Sequence, residues 1–185
     1  YSFMRYLDFE EEIKTRKIYT ALITIFFNDH STENFFALNE IIVSGKHYSK
    51  INFAEYIDGE LLQNVTGTGI LIATSTGDTA FSASLEGAID FSNNFQLACK
   101  LIAPIKNSTT ERIIENPIIC SKITINLLEP VSNITIVVDG QEKSVNSSSI
   151  RKVEVSMIDD SNYINKLAIM DFSKVRVVRG KILGY

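Results

Sequence analysis

Three short segments hold the residues whose types and order are suited to chemistry. The first is Asn39-Glu40, which follows Ala37-Leu38 at the end of an apolar run. The second is Asp58-Gly59-Glu60. The third starts at Gly67-Thr68-Gly69, continues through Ile70-Leu71-Ile72-Ala73-Thr74, and passes Ser75-Thr76-Gly77-Asp78 into Thr79-Ala80-Phe81 and Ser84. In this third segment an apolar strand meets a tight glycine turn and then a stretch with helical spacing. Ala80, Ser84, Gly87 and Ala88 are small, and Leu85 and Ile89 lie four residues apart. Ser75, Thr76 or Asp78 can cap the start of that helix. A strand, a glycine turn and a helix start together aim free backbone N–H groups at an anion or another polar ligand. Taken singly, an Asn-Glu pair is an ordinary surface feature and a Gly-x-Gly is an ordinary turn.

Other chemistries have little support. His30 and His47 are the only histidines, and both sit in polar stretches without the Cys or carboxylate cluster of a zinc site. No Ser-His-Asp set stands out, and no lysine follows a glycine loop as in a Walker motif. The acidic run Asp8–Glu12 reads as a solvated face. Cys99 and Cys120 lie in apolar stretches and read as small buried hydrophobes. The 185 residues carry a net charge of -4 with no basic face, which argues against nucleic acid as a partner. No apolar run reaches membrane-spanning length, and no secretory leader is visible. The expected location is the cytoplasm.

The elements that must position these residues are mostly strands. Tyr19–Phe27, Phe35–Val43, Lys50–Tyr56, Gly69–Thr74, Phe95–Ala103, Lys122–Leu128, Ile134–Val138 and Ile150–Met157 are rich in β-branched and aromatic residues. Lys122–Leu127 alternates, with Ile123, Ile125 and Leu127 on one face. Asn28-Asp29-His30, Asp58-Gly59, Ser92-Asn93-Asn94 and Asp139-Gly140 are turn signals between them. The pattern predicts a mainly β, two-layer domain with one central helix near Thr79–Ile89. Phe172–Leu183 reads as either a second short helix or a strand.

Order and spacing together resemble the NAD kinase family. There an Asn-Glu pair follows an apolar strand, then comes a Gly-Asp-Gly segment, then a Thr-Pro-Thr/Ser-Gly-Ser/Thr-Thr-Ala-Tyr motif that leads into a helix with small residues. The likeness continues through Ile102-Ala103-Pro104, Asn116-Pro117-Ile118-Ile119, Val138-Asp139-Gly140-Gln141 and the closing Arg179-Gly180-Lys181-Ile182-Leu183. It covers nearly the whole chain, which is expected to be one substrate-binding domain over residues 1–185. The lipid kinases acting on diacylglycerol and sphingosine share the two-domain plan and stand as one alternative. A non-catalytic nucleotide-binding protein is the other.

The resemblance implies transfer of the γ-phosphoryl of ATP, with magnesium, to the adenosine ribose 2′-hydroxyl of NAD. Asn39 and Glu40 match the pair that contacts ribose and phosphate. Thr76 and Thr79 match hydroxyls near the adenine, and Ala80 and Ser84 match small residues that let the dinucleotide approach. Phe81 stands where the family has Tyr, keeping the apolar face and losing the phenol. Thr68 replaces the Asp of Gly-Asp-Gly, which in the family serves the nicotinamide side, often across a subunit interface. Ser75 replaces Pro, which loosens the turn. The family's Gly-Gly-Asp-Gly, with its proposed base, occurs nowhere in the chain, so that carboxylate is expected upstream in an amino-terminal α/β domain. NAD and ATP are the expected partners, with assembly into a homodimer or homotetramer through this domain.

Overall fold

In the computed structural model, the described residues are 19–77, 95–105, 113–128, 134–145 and 149–158. Twelve strands are described: β1 (Thr20–Phe27), β2 (Thr32–Ala37), β3 (Glu40–Gly45), β4 (Ile51–Ile57), β5 (Glu60–Gly67), β6 (Gly69–Thr74), β7 (Leu97–Ile102), β8 (Ile118–Cys120), β9 (Lys122–Leu127), β10 (Ile134–Val138), β11 (Gln141–Glu142) and β12 (Ile150–Ile158). They form two six-stranded sheets, ordered β2-β1-β12-β9-β4-β5 and β11-β10-β3-β6-β7-β8. The paired strands run antiparallel.

The strands form where β-branched residues alternate with polar ones. In β1 the side chains of Ala21, Ile23, Ile25 and Phe27 are buried, while the residues between them are half-buried. In β12, Ile150, Val153, Val155 and Met157 are buried, and register pairs Ile23 with Val155 and Ile25 with Val153. Such cross-strand apolar pairs stabilise a sheet face. β6 departs from alternation, because all six of its residues are buried. That suits its continuous apolar run and its place between β3 and β7 in its sheet. Phe53, Ile23, Ile25, Ile41, Ile70, Ile72, Ile123 and Ile136 are among the largest fully buried side chains, and both sheets contribute to this core. Burying one such side chain is worth about 1.5–3 kcal/mol.

The chain crosses between the sheets at sharp corners. One of them corrects the sequence reading. Phe35–Val43 was expected as one strand, but its apolar run breaks at Leu38-Asn39, with β2 in one sheet and β3 in the other. Composition is nearly continuous through the break; side-chain hydrogen bonds from distant residues make it. The edge strands β2, β5, β8 and β11 were also missed or only partly read. β5 has no clean alternation, since Glu60, Leu61 and Leu62 are exposed. The helix expected at Thr79–Ile89, the turn at Ser92-Asn93-Asn94 and the segment Phe172–Leu183 lie outside the described residues.

Candidate functional site

The corner between β2 and β3 is built from two distant parts of the chain. Asp139 and Gly140 make the two-residue turn between β10 and β11, with φ of 49° and 75°. Positive φ at both positions is what a type I′ hairpin turn demands, and Asp-Gly supplies it readily. From this turn the Asp139 carboxylate reaches the corner. Its Oδ2 accepts from the Leu38 N–H at 2.8 Å. Its Oδ1 accepts from the N–H of Asn39 at 2.7 Å and of Glu40 at 3.2 Å. The Asp139 N–H in turn donates to the Glu40 carbonyl at 3.0 Å.

Thr74, the last residue of β6, closes the corner from the other side. Its hydroxyl donates to the Leu38 carbonyl at 2.6 Å and lies 3.2 Å from that of Asn39. Its N–H donates to the Asn39 carbonyl at 2.8 Å. The same hydroxyl oxygen accepts from the N–H groups of Thr76 and Gly77, each at 3.2 Å. Asp139 and Thr74 thus satisfy all the backbone polar groups of Leu38, Asn39 and Glu40. Gly77 packs directly on the corner. A Cβ there would lie 2.0 Å from the Asn39 carbonyl oxygen and 2.7 Å from the Asn39 Cα, so only glycine fits.

Asn39 enters this frame through its backbone alone, which leaves its side-chain amide out of it. The side chain of Glu40 is the second carboxyl group at the corner, beside Asp139. Its Oε2 is buried and has no hydrogen-bond partner among the described residues. Desolvation, and secondly the nearby Asp139 charge, raise its carboxyl above the usual glutamate range. A desolvated carboxylate oxygen without a donor is suited to a ligand hydroxyl or N–H.

The structure brings Asn39, Glu40 and Thr76 together and keeps Thr68 apart. Thr68 precedes Gly69 at the other end of β6, with its N–H donating to the Ile102 carbonyl at 3.0 Å. Strand rise puts it roughly 20 Å from Thr74. Thr79, Ala80, Phe81 and Ser84 lie outside the described residues. His30 and His47 are both exposed, with positive φ. Among the described residues no group of three or more His, Cys, Asp or Glu side chains could hold a metal ion. The sequence reading missed what Thr74 and Asp139 do. Asp139-Gly140 signalled a turn, and nothing in a turn signal says where its carboxylate points.

A family model for the ATP-NAD kinase C-terminal domain matches residues 38–167, beginning at this corner. The chain belongs to that family. An NAD kinase of Clostridium beijerinckii is 28% identical over 158 residues, covering 85% of this chain and 54% of that protein. One of Methanosarcina barkeri is 33% identical over 121 residues, covering 65% of this chain and 42% of the relative. One of Chlorobium phaeovibrioides is 40% identical over 87 residues, or 46% of this chain and 30% of that one. The chain therefore spans about half or less of the length of these curated relatives. Among solved structures, yeast NADH kinase complexed with NADH matches 78% of this chain and 41% of its own, with a TM-score of 0.64 and 25% identity. Its likeness to this chain and the two antiparallel sheets agree with the expected mainly β, two-layer domain.

Proposed function

We propose that this chain is the dinucleotide-binding part of an enzyme that phosphorylates NAD at the adenosine ribose 2′-hydroxyl, with ATP as donor. Membership of the ATP-NAD kinase C-terminal family supports the class of reaction, and the NADH bound by the yeast neighbour supports a dinucleotide ligand. The observation that carries the reading is the braced Leu38–Glu40 corner with a buried Glu40 Oε2 that has no partner among the described residues. Phosphoryl transfer depends on aligning the accepting hydroxyl and stabilising charge. A rigid corner offering an amide and a carboxylate can hold a ribose in line. On this reading Asn39 donates to ribose or phosphate oxygen and Glu40 accepts from a ribose hydroxyl. Thr76, Thr79, Ala80, Phe81 and Ser84 take the adenine side, and Thr68 the nicotinamide side, completing the site of a neighbouring subunit. The base and the γ-phosphate site belong to an amino-terminal α/β domain. Magnesium bound with the nucleotide would supply charge neutralisation on the phosphates.

The test is NADP formation by the full-length protein with ATP, NAD and magnesium, read through an NADP-specific coupled assay. Asn39→Ala and Glu40→Gln should each lower kcat/KM for NAD. Loss of a charge-assisted bond at Glu40 is worth about 1.5–3 kcal/mol, or roughly ten- to a hundred-fold. Unchanged kcat/KM in both folded variants defeats the site assignment. Turnover of a lipid alcohol in place of NAD defeats the substrate assignment.

A further inference from the structure

We propose that Asp139 is a positioning residue of the dinucleotide site, holding Leu38–Glu40 in the backbone conformation that presents Asn39 and Glu40 to the ligand. The inference rests on the reading of Asn39 and Glu40 as ligand contacts. It adds a residue about a hundred positions away that touches no substrate.

The case starts from what holds the corner. Leu38 and Asn39 lie between β2 and β3, outside the strands of both sheets, and Glu40 opens β3 opposite Ala73, so the ladders reach only the end of the corner. Three of its N–H groups end on the Asp139 carboxylate, and the Glu40 carbonyl ends on the Asp139 N–H. Only the Leu38 and Asn39 carbonyls are left, and Thr74 takes them. The turn alone does not need a carboxylate. Asparagine populates positive φ as readily and serves a type I′ turn as well. What asparagine lacks is acceptance at both side-chain oxygens. Its amide nitrogen is a donor and would face backbone N–H groups.

The fold supplies a matched comparison. Asp58-Gly59 is the corresponding turn between β4 and β5, with φ of 49° and 95°. Its carboxylate Oδ1 accepts from Ser121 at 3.0 Å and Lys122 at 2.8 Å, where the chain crosses from β8 to β9. Two Asp-Gly hairpins thus brace two sheet-to-sheet corners by the same means. Only the Asp139 corner carries Asn39 and Glu40, so only there does the brace set the geometry of a ligand.

The experiment compares Asp139→Asn with Asp58→Asn in the full-length protein, reading kcat, KM for NAD, KM for ATP and Tm. Asp139→Asn should lower kcat/KM for NAD by about ten-fold or more and leave KM for ATP within about two-fold. Asp58→Asn should lower Tm to a similar extent with wild-type NAD kinetics. Combined with Glu40→Gln, Asp139→Asn should cost less than the product of the two single losses, because it acts through the same corner. Should Asp139→Asn fail to fold, Thr74→Val removes the hydroxyl that closes the corner from the other side and carries the same NAD-specific expectation. Wild-type NAD kinetics in the folded variant overturn the proposal. So do equal kinetic losses in the Asp139 and Asp58 variants, or a fully multiplicative double variant. If Glu40→Gln and Asn39→Ala impair NAD turnover and Asp139→Asn does not, this inference alone falls. If those two are silent as well, the site reading falls with it.

Discussion

Glu40 is the residue on which pH should act. Burial and the Asp139 charge make its proton harder to lose, so its folded-state carboxyl titrates above the ordinary glutamate value of 4.5. The ionised form is the acceptor a ribose hydroxyl needs. The acidic limb of kcat/KM for NAD should therefore lie at higher pH than a free glutamate gives, with activity rising as pH rises through it. In Glu40→Gln that limb should disappear and leave a lower, flatter profile. A pH–rate series on both proteins checks this, and an identical acidic limb in the variant means that another group sets it. Asn39 and Glu40 stood out in the sequence as candidates because they lie in an ordered set of motifs. Asp139 and Thr74 also fell within those motifs, but their contacts with the corner could not be read from them. Their work is done through hydrogen bonds to backbone 100 and 36 positions away, which no local pattern encodes.

Among the elements, a buried carboxylate on β4 is the clearest conflict with local expectation. Glu55 is 1% exposed, opposite Gln63 of β5 and Ile125 of β9. Its Oε2 accepts from the Gln63 amide at 2.7 Å, and Gln63 is tied to Ile114 by bonds of 3.2 and 2.9 Å. Its Oε1 lies 3.7 Å from the Cys99 sulfur. Burial outweighs these bonds and raises the Glu55 carboxyl. The neighbouring Cys99 thiol is also pushed up, chiefly by its hydrogen bond with Cys120 and by burial, so Cys99 is held as a thiol; both cysteines are buried and unbridged. The folded chain thus holds the Glu55 proton to higher pH than the unfolded chain does. Its stabilising effect is complete below the ordinary glutamate value and is lost as pH rises through the raised one. Glu55→Gln should keep the bond to Gln63 and remove this loss, flattening stability against pH by at most about 1.4 kcal/mol per pH unit. Denaturant melts from acid to neutral pH measure it; a slope equal to wild type means that Glu55 is already ionised in the folded state. β-branched composition made most strands legible. The β2–β3 break was not, because Leu38-Asn39 carries no glycine or proline to announce it.

The two sheets share one core among the described residues, and that core sets what the whole molecule can do alone. It supports the Leu38–Glu40 corner, yet the chain contains no Gly-Gly-Asp-Gly and spans about half or less of its relatives. Purified residues 1–185 are expected to give no NADP from NAD, ATP and magnesium, and clear turnover by that chain would place the base within it. Association is the second expectation at this scale. Phe36, Leu61, Ile119 and Leu128 are large apolar residues left exposed on the described surface, and Thr68 lies at the far end of β6 from Glu40. We propose a symmetric interface in which Thr68 serves a partner's ligand. Sedimentation at micromolar concentration should show at least a dimer, and a monomer there counts against the shared site.

The sequence by itself determined the class of fold and the family. Alternating β-branched stretches can bury only one face each, which forces layered sheets, and motifs such as Asn39-Glu40 and Thr74–Phe81 keep their order along any chain of this kind. It also marked the Asp-Gly hairpins, because positive φ restricts residue choice at each turn locally. Tertiary structure alone decided three things: where the apolar run Phe35–Val43 breaks, which carboxylates turn inward or clasp a neighbour, and how far Thr68 stands from Glu40. The physical reason is common to all three. A strand's composition reports how it is buried, whereas a corner is fixed by partners that only the crossing of two sheets brings within hydrogen-bond reach.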